Sequence, residues 1–172
     1  FMVGAQITSI RRRAKALMID VSTGYTLVTH LKMTGQLVFV GEIRFGAGHP
    51  NDSLVNQLPD KSTRVAIAFD DGTHLYFNDQ RKFGWMKLIP TLEVPDMSFM
   101  KKVGPEPLEA DFTAKQFSER FKRRANTSIK AALLDQSVIA GVGNIYADES
   151  LWGAKIHPKR LVKSIKQAEF KR

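Results

Sequence analysis

One lysine near the start of the sequence has a setting that favours proton transfer. Lys15 begins a predicted strand, in which the period of two places Leu17, Ile19 and Val21 on its face. An ammonium group beside apolar surface loses hydration, which lowers its pKa and suits it to moving protons. A strand-end lysine in water fits the same pattern. The residues alone therefore leave both interpretations open.

A glycine turn before a helix forms a candidate anion site. The turn is Gly141 to Asn144, and it precedes a predicted helix from about Ile145 to Lys155 that Pro158 closes, with Asn144 as the expected N-cap. Unpaired backbone N–H groups at a helix N-terminus attract phosphate. An ordinary tight turn would explain the two glycines equally well.

Three further side chains combine apolar and hydrogen-bonding groups in predicted turns or loops. Met33 lies between two predicted strands, where Thr34 and Gly35 would leave it exposed, and Arg81 and Phe83 lie in a later loop. From the pattern alone, an incidental exposed Met33 is favoured over a functional one, whereas a core Phe83 and a solvated Arg81 are as acceptable as functional roles.

The charge of the chain favours a polyanionic partner. Its 26 Lys and Arg residues outnumber 17 Asp and Glu residues, which gives a net charge of +9. Nucleic acid is the first expectation and a membrane surface the second. For the basic run Arg120, Lys122, Arg123 and Arg124, a solvated helix end is favoured over a stripe that binds the DNA backbone.

Composition also bears on metals and location. No stretch approaches the roughly 20 apolar residues that span a bilayer, and no signal segment opens the chain, so we expect a cytoplasmic, nucleoid-associated protein with no membrane partner. The chain has no cysteine, and its four histidines lack the spacing of metal ligands. We therefore predict no metal and no cofactor in this stretch.

The chain up to about residue 90 has the pattern of short strands separated by turns, which predicts an antiparallel sandwich or barrel. Ser22 to Gly24 and Asp70 to Gly72 are the clearest turns. The segment Arg44 to Lys61 lacks a period and is predicted to be a long loop. The candidate strands are Gln6 to Arg12, Lys15 to Val21, Tyr25 to Leu31, Gln36 to Val40, Arg64 to Phe69, His74 to Asn78 and Gly84 to Leu88.

The period changes to about 3.6 after Val103 to Pro107, which predicts a β domain at 1–102 and a helical domain at 103–172. Thr113 to Gln116 has the sequence of a capping box. A second helix is predicted at Ser128 to Leu134, and a last helix is predicted to begin near Val162 and to continue to the end of the sequence.

Six separated strings, in the same order along the chain, resemble the formamidopyrimidine-DNA glycosylase family. The resemblance implies an α+β fold, in which an antiparallel β-sandwich is followed by a helix-two-turns-helix domain. The strings are Arg12 to Lys15, His30 to Gly35, Asp79 to Gly84, Gly104 to Leu108, Ile129 to Lys130 and Gly141 to Ala147.

The resemblance also implies roles for the candidate residues. Lys15 is expected to be catalytic and to touch the DNA backbone. An enzyme that flips a base needs an apolar wedge and a hydrogen-bond donor to fill the vacated position. The resemblance implies that Met33 and Phe83 fill it and that Arg81 pairs with the orphaned cytosine. Phosphate contacts are assigned to Lys130 and to the turn that ends at Asn144.

Three positions depart from the family pattern. Ser62 stands where many members have a histidine that contacts DNA, and Asn126 stands where a lysine or arginine is common, so both contacts are in doubt. Lys82 replaces the second arginine of the usual Arg-Arg-Phe-Gly string, which keeps the charge but loses the planar fork of the guanidinium.

The resemblance implies a bifunctional DNA glycosylase and abasic-site lyase that removes oxidised purines such as 8-oxoguanine and formamidopyrimidines. We expect it to bind double-stranded damaged DNA as a monomer. Family members start with Pro-Glu-Leu-Pro-Glu, whose proline amine is the nucleophile, and usually end in a four-cysteine zinc finger. Neither string occurs here. We therefore expect a fragment that is inactive alone, with zinc only in a missing C-terminal finger.

Two other functions remain at this point. One is an endonuclease VIII-type glycosylase for oxidised pyrimidines, which shares the fold, although the set Met33, Arg81 and Phe83 argues against it. The other is a non-catalytic DNA-binding module.

Overall fold

A computed structural model describes all 172 residues, which form two compact units, Phe1–Thr91 and Leu92–Arg172. The predicted α+β fold is confirmed, because the first unit holds two antiparallel four-stranded sheets and the second is helical. The first sheet has the order β1-β2-β3-β8 and the second β5-β4-β7-β6. The strands are β1 (Ile7–Arg13), β2 (Ala16–Val21), β3 (Tyr25–His30), β4 (Gly35–Val40), β5 (Arg44–Gly48), β6 (Thr63–Ala68), β7 (His74–Asp79) and β8 (Trp85–Pro90).

The inner strands of both sheets carry the apolar core of the first unit. Val28 in β3 and Val38 in β4 are fully buried. Ala16 in β2 and Phe77 in β7 are no more than 3% exposed. Strand β1, in contrast, is exposed along almost its whole length. Burial of one face of each sheet is the arrangement that stabilises a β-sandwich.

Strand β5 was not predicted, because it lies inside the segment expected to be a long loop. Its sequence, Arg44–Gly48, contains two glycines and no apolar alternation. The strand forms through pairing with β4, and Gly48 has a φ of +119°. A Cβ at Gly48 would lie 2.3 Å from the carbonyl oxygen of Gly35, so this close approach requires glycine.

The helical unit packs around one apolar cluster. Its members include Phe121, Ile129, Leu133, Leu151 and Val162, each no more than 6% exposed. The helices are α1 (Ser98–Lys102), α2 (Ala114–Lys122), α3 (Ile129–Leu134) and α4 (Asn144–Gly153). None of them has the length and hydropathy needed to cross a membrane.

The capping box is confirmed, since the Thr113 side chain accepts from the Gln116 amide and the Gln116 side chain accepts from the Thr113 amide. The expected boundary at 102/103 differs from the observed division, which places 92–102, including the unpredicted helix α1, in the second unit.

The helix predicted from Val162 is wrong. Two short 3-10 turns, Val162–Ser164 and Glu169–Lys171, occupy this region. The amides of Val162 and Lys163 donate to the carbonyls of Thr127 and Ala125. These distant partners hold the backbone in place of an i to i−4 ladder.

Candidate nucleic-acid interface

Met33, Arg81 and Phe83 form one exposed cluster, here called the wedge cluster. Met33 lies in the turn between β3 and β4, and the other two lie in the loop between β7 and β8. The Arg81 guanidinium carbon is 4.6 Å from the centroid of the Phe83 ring, and Arg81 Nη1 is 3.9 Å from Met33 Sδ. Two sequence-distant loops therefore bring the three predicted side chains together.

The apolar members of the wedge cluster are not buried in the core. Met33 is 65% exposed and Phe83 is 54% exposed. The cation–π contact orients the guanidinium over the ring while its remaining N–H groups stay available. The cluster thus presents an apolar edge and several donors on one surface.

Asp79, at the end of β7, joins the two loops of the wedge cluster. It is 1% exposed. One carboxylate oxygen accepts from the Thr34 hydroxyl, beside Met33, and from the Arg81 amide at 3.2 Å. The other accepts from the Gly84 amide at 2.6 Å.

The Asp79 carboxylate stays ionised in this setting. Burial opposes its charge, but hydrogen bonds from Thr34 and from the amides of Gly84, Arg81 and Phe83 outweigh that effect and lower its pKa below the usual range. Sequence reasoning missed this residue. The Asp79 to Arg81 spacing is that of an Asx turn, which is the one local signal for it.

The turn that carries Met33 depends on a glycine. The Gly35 amide donates to the Leu31 carbonyl at 2.9 Å, and a Cβ at Gly35 would lie 2.3 Å from that same oxygen. Any side chain at this position would push the turn open.

Lys15 lies in the turn between β1 and β2, and not inside a strand as predicted. The turn forms because Ala14 adopts a φ of 51°. Although the residue is exposed, neighbouring atoms remove part of the hydration of its ammonium, which lowers the pKa of Lys15. The direction agrees with the expected desolvation, but Leu17, Ile19 and Val21 do not share a strand face with it.

A buried histidine next to this region is neutral. Burial, together with the charges of Lys32 and Lys15, lowers the pKa of His30 to about 4. Its Nδ1 accepts from the Lys32 amide at 3.0 Å. His30 therefore positions the turn without adding positive charge near pH 7.

In the helical unit, the predicted glycine turn leads into α4 and is braced by Gln136. Gln136 Oε1 accepts from the Gly141 amide at 2.9 Å, and its Nε2 donates to the Val142 carbonyl at 2.8 Å. The N-cap is Gly143, and Asn144 is the first helical residue, which corrects the N-cap expected at Asn144. The extended backbone of Gly143 makes it the cap, and the first amides of α4 lack partners within the helix.

Lys130, in α3, forms an ion pair that the sequence did not predict. Its Nζ is 2.7 and 2.9 Å from the two carboxylate oxygens of Asp148 in α4. Both side chains are partly exposed, and an exposed pair of this kind stabilises by only about 0 to 1 kcal/mol. The ammonium is held beside Asp148, in the second turn of α4.

The two doubtful positions differ in exposure. Ser62 is 2% exposed and its hydroxyl bonds to Asp60 and Ser53, so it does not face solvent. Asn126 is exposed. No three histidine or carboxylate side chains lie close enough together to hold a metal ion.

Comparison with known proteins gives the same family for both units. The model of the formamidopyrimidine-DNA glycosylase N-terminal domain matches residues 1–86, and that of the formamidopyrimidine-DNA glycosylase H2TH domain matches residues 103–172. The formamidopyrimidine-DNA glycosylase of Herpetosiphon aurantiacus is 44% identical over 96% of this chain and 55% of its own length. That of Desulforamulus reducens is 42% identical over 98% of this chain and 56% of its own length.

A solved structure matches equally broadly. It is the complex between Lactococcus lactis Fpg and DNA containing an abasic site, with a TM-score of 0.81 and 33% identity over 98% of this chain and 56% of that one. The chain spans about half the length of the curated relatives it matches.

Proposed function

The chain belongs to the formamidopyrimidine-DNA glycosylase family, and from that membership we propose that it is part of a base-excision repair enzyme for oxidised purines. The enzyme flips 8-oxoguanine or a formamidopyrimidine out of duplex DNA, removes it and cleaves the strand at the resulting abasic site. The observation that carries the proposal is the wedge cluster. Its three exposed side chains come from two loops and are held together at the surface, where they do not pack into the core.

Base flipping explains what the wedge cluster does. Extruding a nucleotide costs a few kcal/mol in lost stacking and pairing. Met33 and Phe83 enter the vacated space and recover apolar contact. The Arg81 guanidinium donates to the acceptors of the orphaned cytosine. A purine at that position presents a different arrangement of acceptors.

Lys15 is the group of this chain to which we assign proton transfer. A lowered pKa makes its neutral form more abundant near pH 7, which suits a group that takes and returns a proton beside the reacting sugar. In the family mechanism implied by the resemblance, a proline amine attacks the sugar carbon and the base leaves as the glycosidic bond breaks. The resulting Schiff base then undergoes elimination that cuts the strand. Lys15 accepts or donates protons in those steps while it touches the backbone phosphate.

The helical unit supplies phosphate contacts. The first amides of α4, beginning at Asn144, and the ammonium of Lys130 bind backbone phosphates. A phosphate bound by Lys130 replaces part of the ion pair that its ammonium makes with Asp148. We further propose that the protein acts as a monomer, and that this chain needs no cofactor of its own, zinc belonging to a finger outside these residues.

The role of Arg81 gives a test. We expect Arg81→Ala to weaken the preference for cytosine opposite an abasic-site analogue by about 1 to 3 kcal/mol, since one side-chain readout is lost. Affinities for duplexes with cytosine or adenine opposite the analogue are compared by fluorescence anisotropy.

Lys82→Gln is the matched control, because it removes a charge from the same loop. It should lower both affinities and leave the preference unchanged. An Arg81→Ala protein that keeps its preference for cytosine would refute the assigned role.

A further inference from the structure

Five cations of the helical unit surround one cleft. Lys101 and Lys102 come from the end of α1, and Arg120, Arg123 and Arg124 come from the end of α2 and the residues after it. The cleft has a volume of about 370 Å³, and no acidic side chain lines it. These five residues are here called the basic cleft.

Two of the arginines are held in fixed positions. Arg120 Nη1 donates to the Ser137 carbonyl at 3.1 Å, and Arg124 Nη2 lies 2.6 Å from Asp135. Burial opposes the charge of Asp135, but hydrogen bonds from Ser137 and the charge of Arg124 outweigh it and lower its pKa below the usual range. Asp135 thus remains an ionised anchor behind the cleft.

The other cations have little or no neutralising charge. Lys101 pairs with Asp96 at 2.9 Å, but both side chains are more than 60% exposed, and such pairs are weak. Lys102 and Arg123 form no ion pair. Counting Asp96 and Asp135 against the five cations, three positive charges remain uncompensated.

Helix dipoles alone do not account for this arrangement. Cations at a helix C-terminus are stabilised by the partial negative charge of its last carbonyls. Here, however, the cations of two helices converge, and Arg120 and Arg124 reach to the loop between α3 and α4. Like charges in one cleft repel unless an anion is present.

We propose that the basic cleft is a second phosphate-binding site, which takes backbone phosphodiesters of the duplex in addition to those bound at Lys130 and α4. The proposal rests on the proposed function, since it assumes that duplex DNA is the ligand. It revises the sequence-based expectation that the basic run is a solvated helix end.

Salt dependence of binding tests it. The logarithm of affinity should fall with the logarithm of salt concentration with a slope of about −0.9 per phosphate contacted. The double variant Lys102→Gln, Arg123→Gln removes two of the three cations that form no ion pair and should make this slope shallower by about 1 to 2. Binding of the 172-residue chain to an undamaged duplex is measured between about 50 and 200 mM salt.

The variant Lys163→Gln, Lys166→Gln is the control, because it removes two exposed charges from the same unit. If the salt-dependence slope changes equally in both variants, or in neither, the proposal that the basic cleft binds phosphate is overturned while the proposed function stands. The proposal is also overturned if inorganic phosphate shifts the NMR signals of Arg123 while the slope of the double variant stays unchanged, since the cleft would then bind the free ion but no phosphate of the duplex. Failure of the unsubstituted chain to bind the duplex would overturn both proposals.

Discussion

The Asp79→Ala variant is expected to lose about 3 to 5 kcal/mol of stability in the β unit, because the amides and the hydroxyl that donate to this buried carboxylate would lose their acceptor in a partly buried site. Each such donor costs about 1 to 3 kcal/mol. The variant should also displace Met33, Arg81 and Phe83, because Asp79 joins the two loops that carry them. Urea denaturation followed by tryptophan fluorescence measures the change.

The matched control is Asp71→Ala. Asp71 also accepts hydrogen bonds from the residue two positions later, but it lies exposed in the turn between β6 and β7. Its replacement should have a much smaller effect. Equal losses in the two variants would show that Asp79 has no special part in holding the two loops.

Acid should reproduce part of the Asp79 effect. The pKa of its carboxyl is lowered in the folded protein, so its contribution is complete above the ordinary value of about 3.9 and is lost as pH falls through the lower folded value. Stability of the wild-type chain should therefore drop more steeply below about pH 4 than that of Asp79→Asn.

In the helical unit, we expect Phe121→Ala to cost about 3 to 5 kcal/mol, the usual range for removing a fully buried aromatic ring. Phe121 is 0% exposed, and its ring lies 4.5 Å from that of Phe117 and 5.7 Å from that of Phe170. The measurement is thermal unfolding followed by far-ultraviolet circular dichroism.

Phe121→Leu keeps most of the buried volume and should cost clearly less. Because α2 and α4 share this core, Phe121→Ala should also weaken DNA binding by disturbing the glycine turn before α4, to which we assign phosphate contacts. A Phe121→Ala protein as stable as the wild type would show that the core of this unit lies elsewhere.

The strands of the first unit could be predicted because β-branched and aromatic residues cluster between turn signals, as in Tyr25–His30 and His74–Asp79. Strand β5 has no such signal, since it is a glycine-containing edge strand that forms by pairing with β4. The backbone of Val162 is likewise held by Thr127, a partner remote in sequence. Local patterns cannot encode such contacts.

The residues of the wedge cluster could be named from the sequence, but the hydrogen bonds that hold its two loops together could not. The strings around Met33 and Arg81 were recognisable, whereas the link from Thr34 to Asp79 spans 45 positions and has no local period. The pair Lys130–Asp148 was missed for the same reason. The turn position of Lys15 follows from the left-handed backbone of Ala14, which is uncommon for alanine and has no sequence signal.

Recognition of a vacated base position is the central claim, and one binding comparison tests it most directly. The 172-residue chain is titrated with a duplex that carries a tetrahydrofuran abasic-site analogue opposite cytosine, and with the same duplex undamaged. We predict a preference for the damaged duplex of about tenfold or more, which corresponds to about 1.4 kcal/mol, and its loss in Met33→Ala, Phe83→Ala. Equal affinity of the unsubstituted chain for the two duplexes would contradict the account.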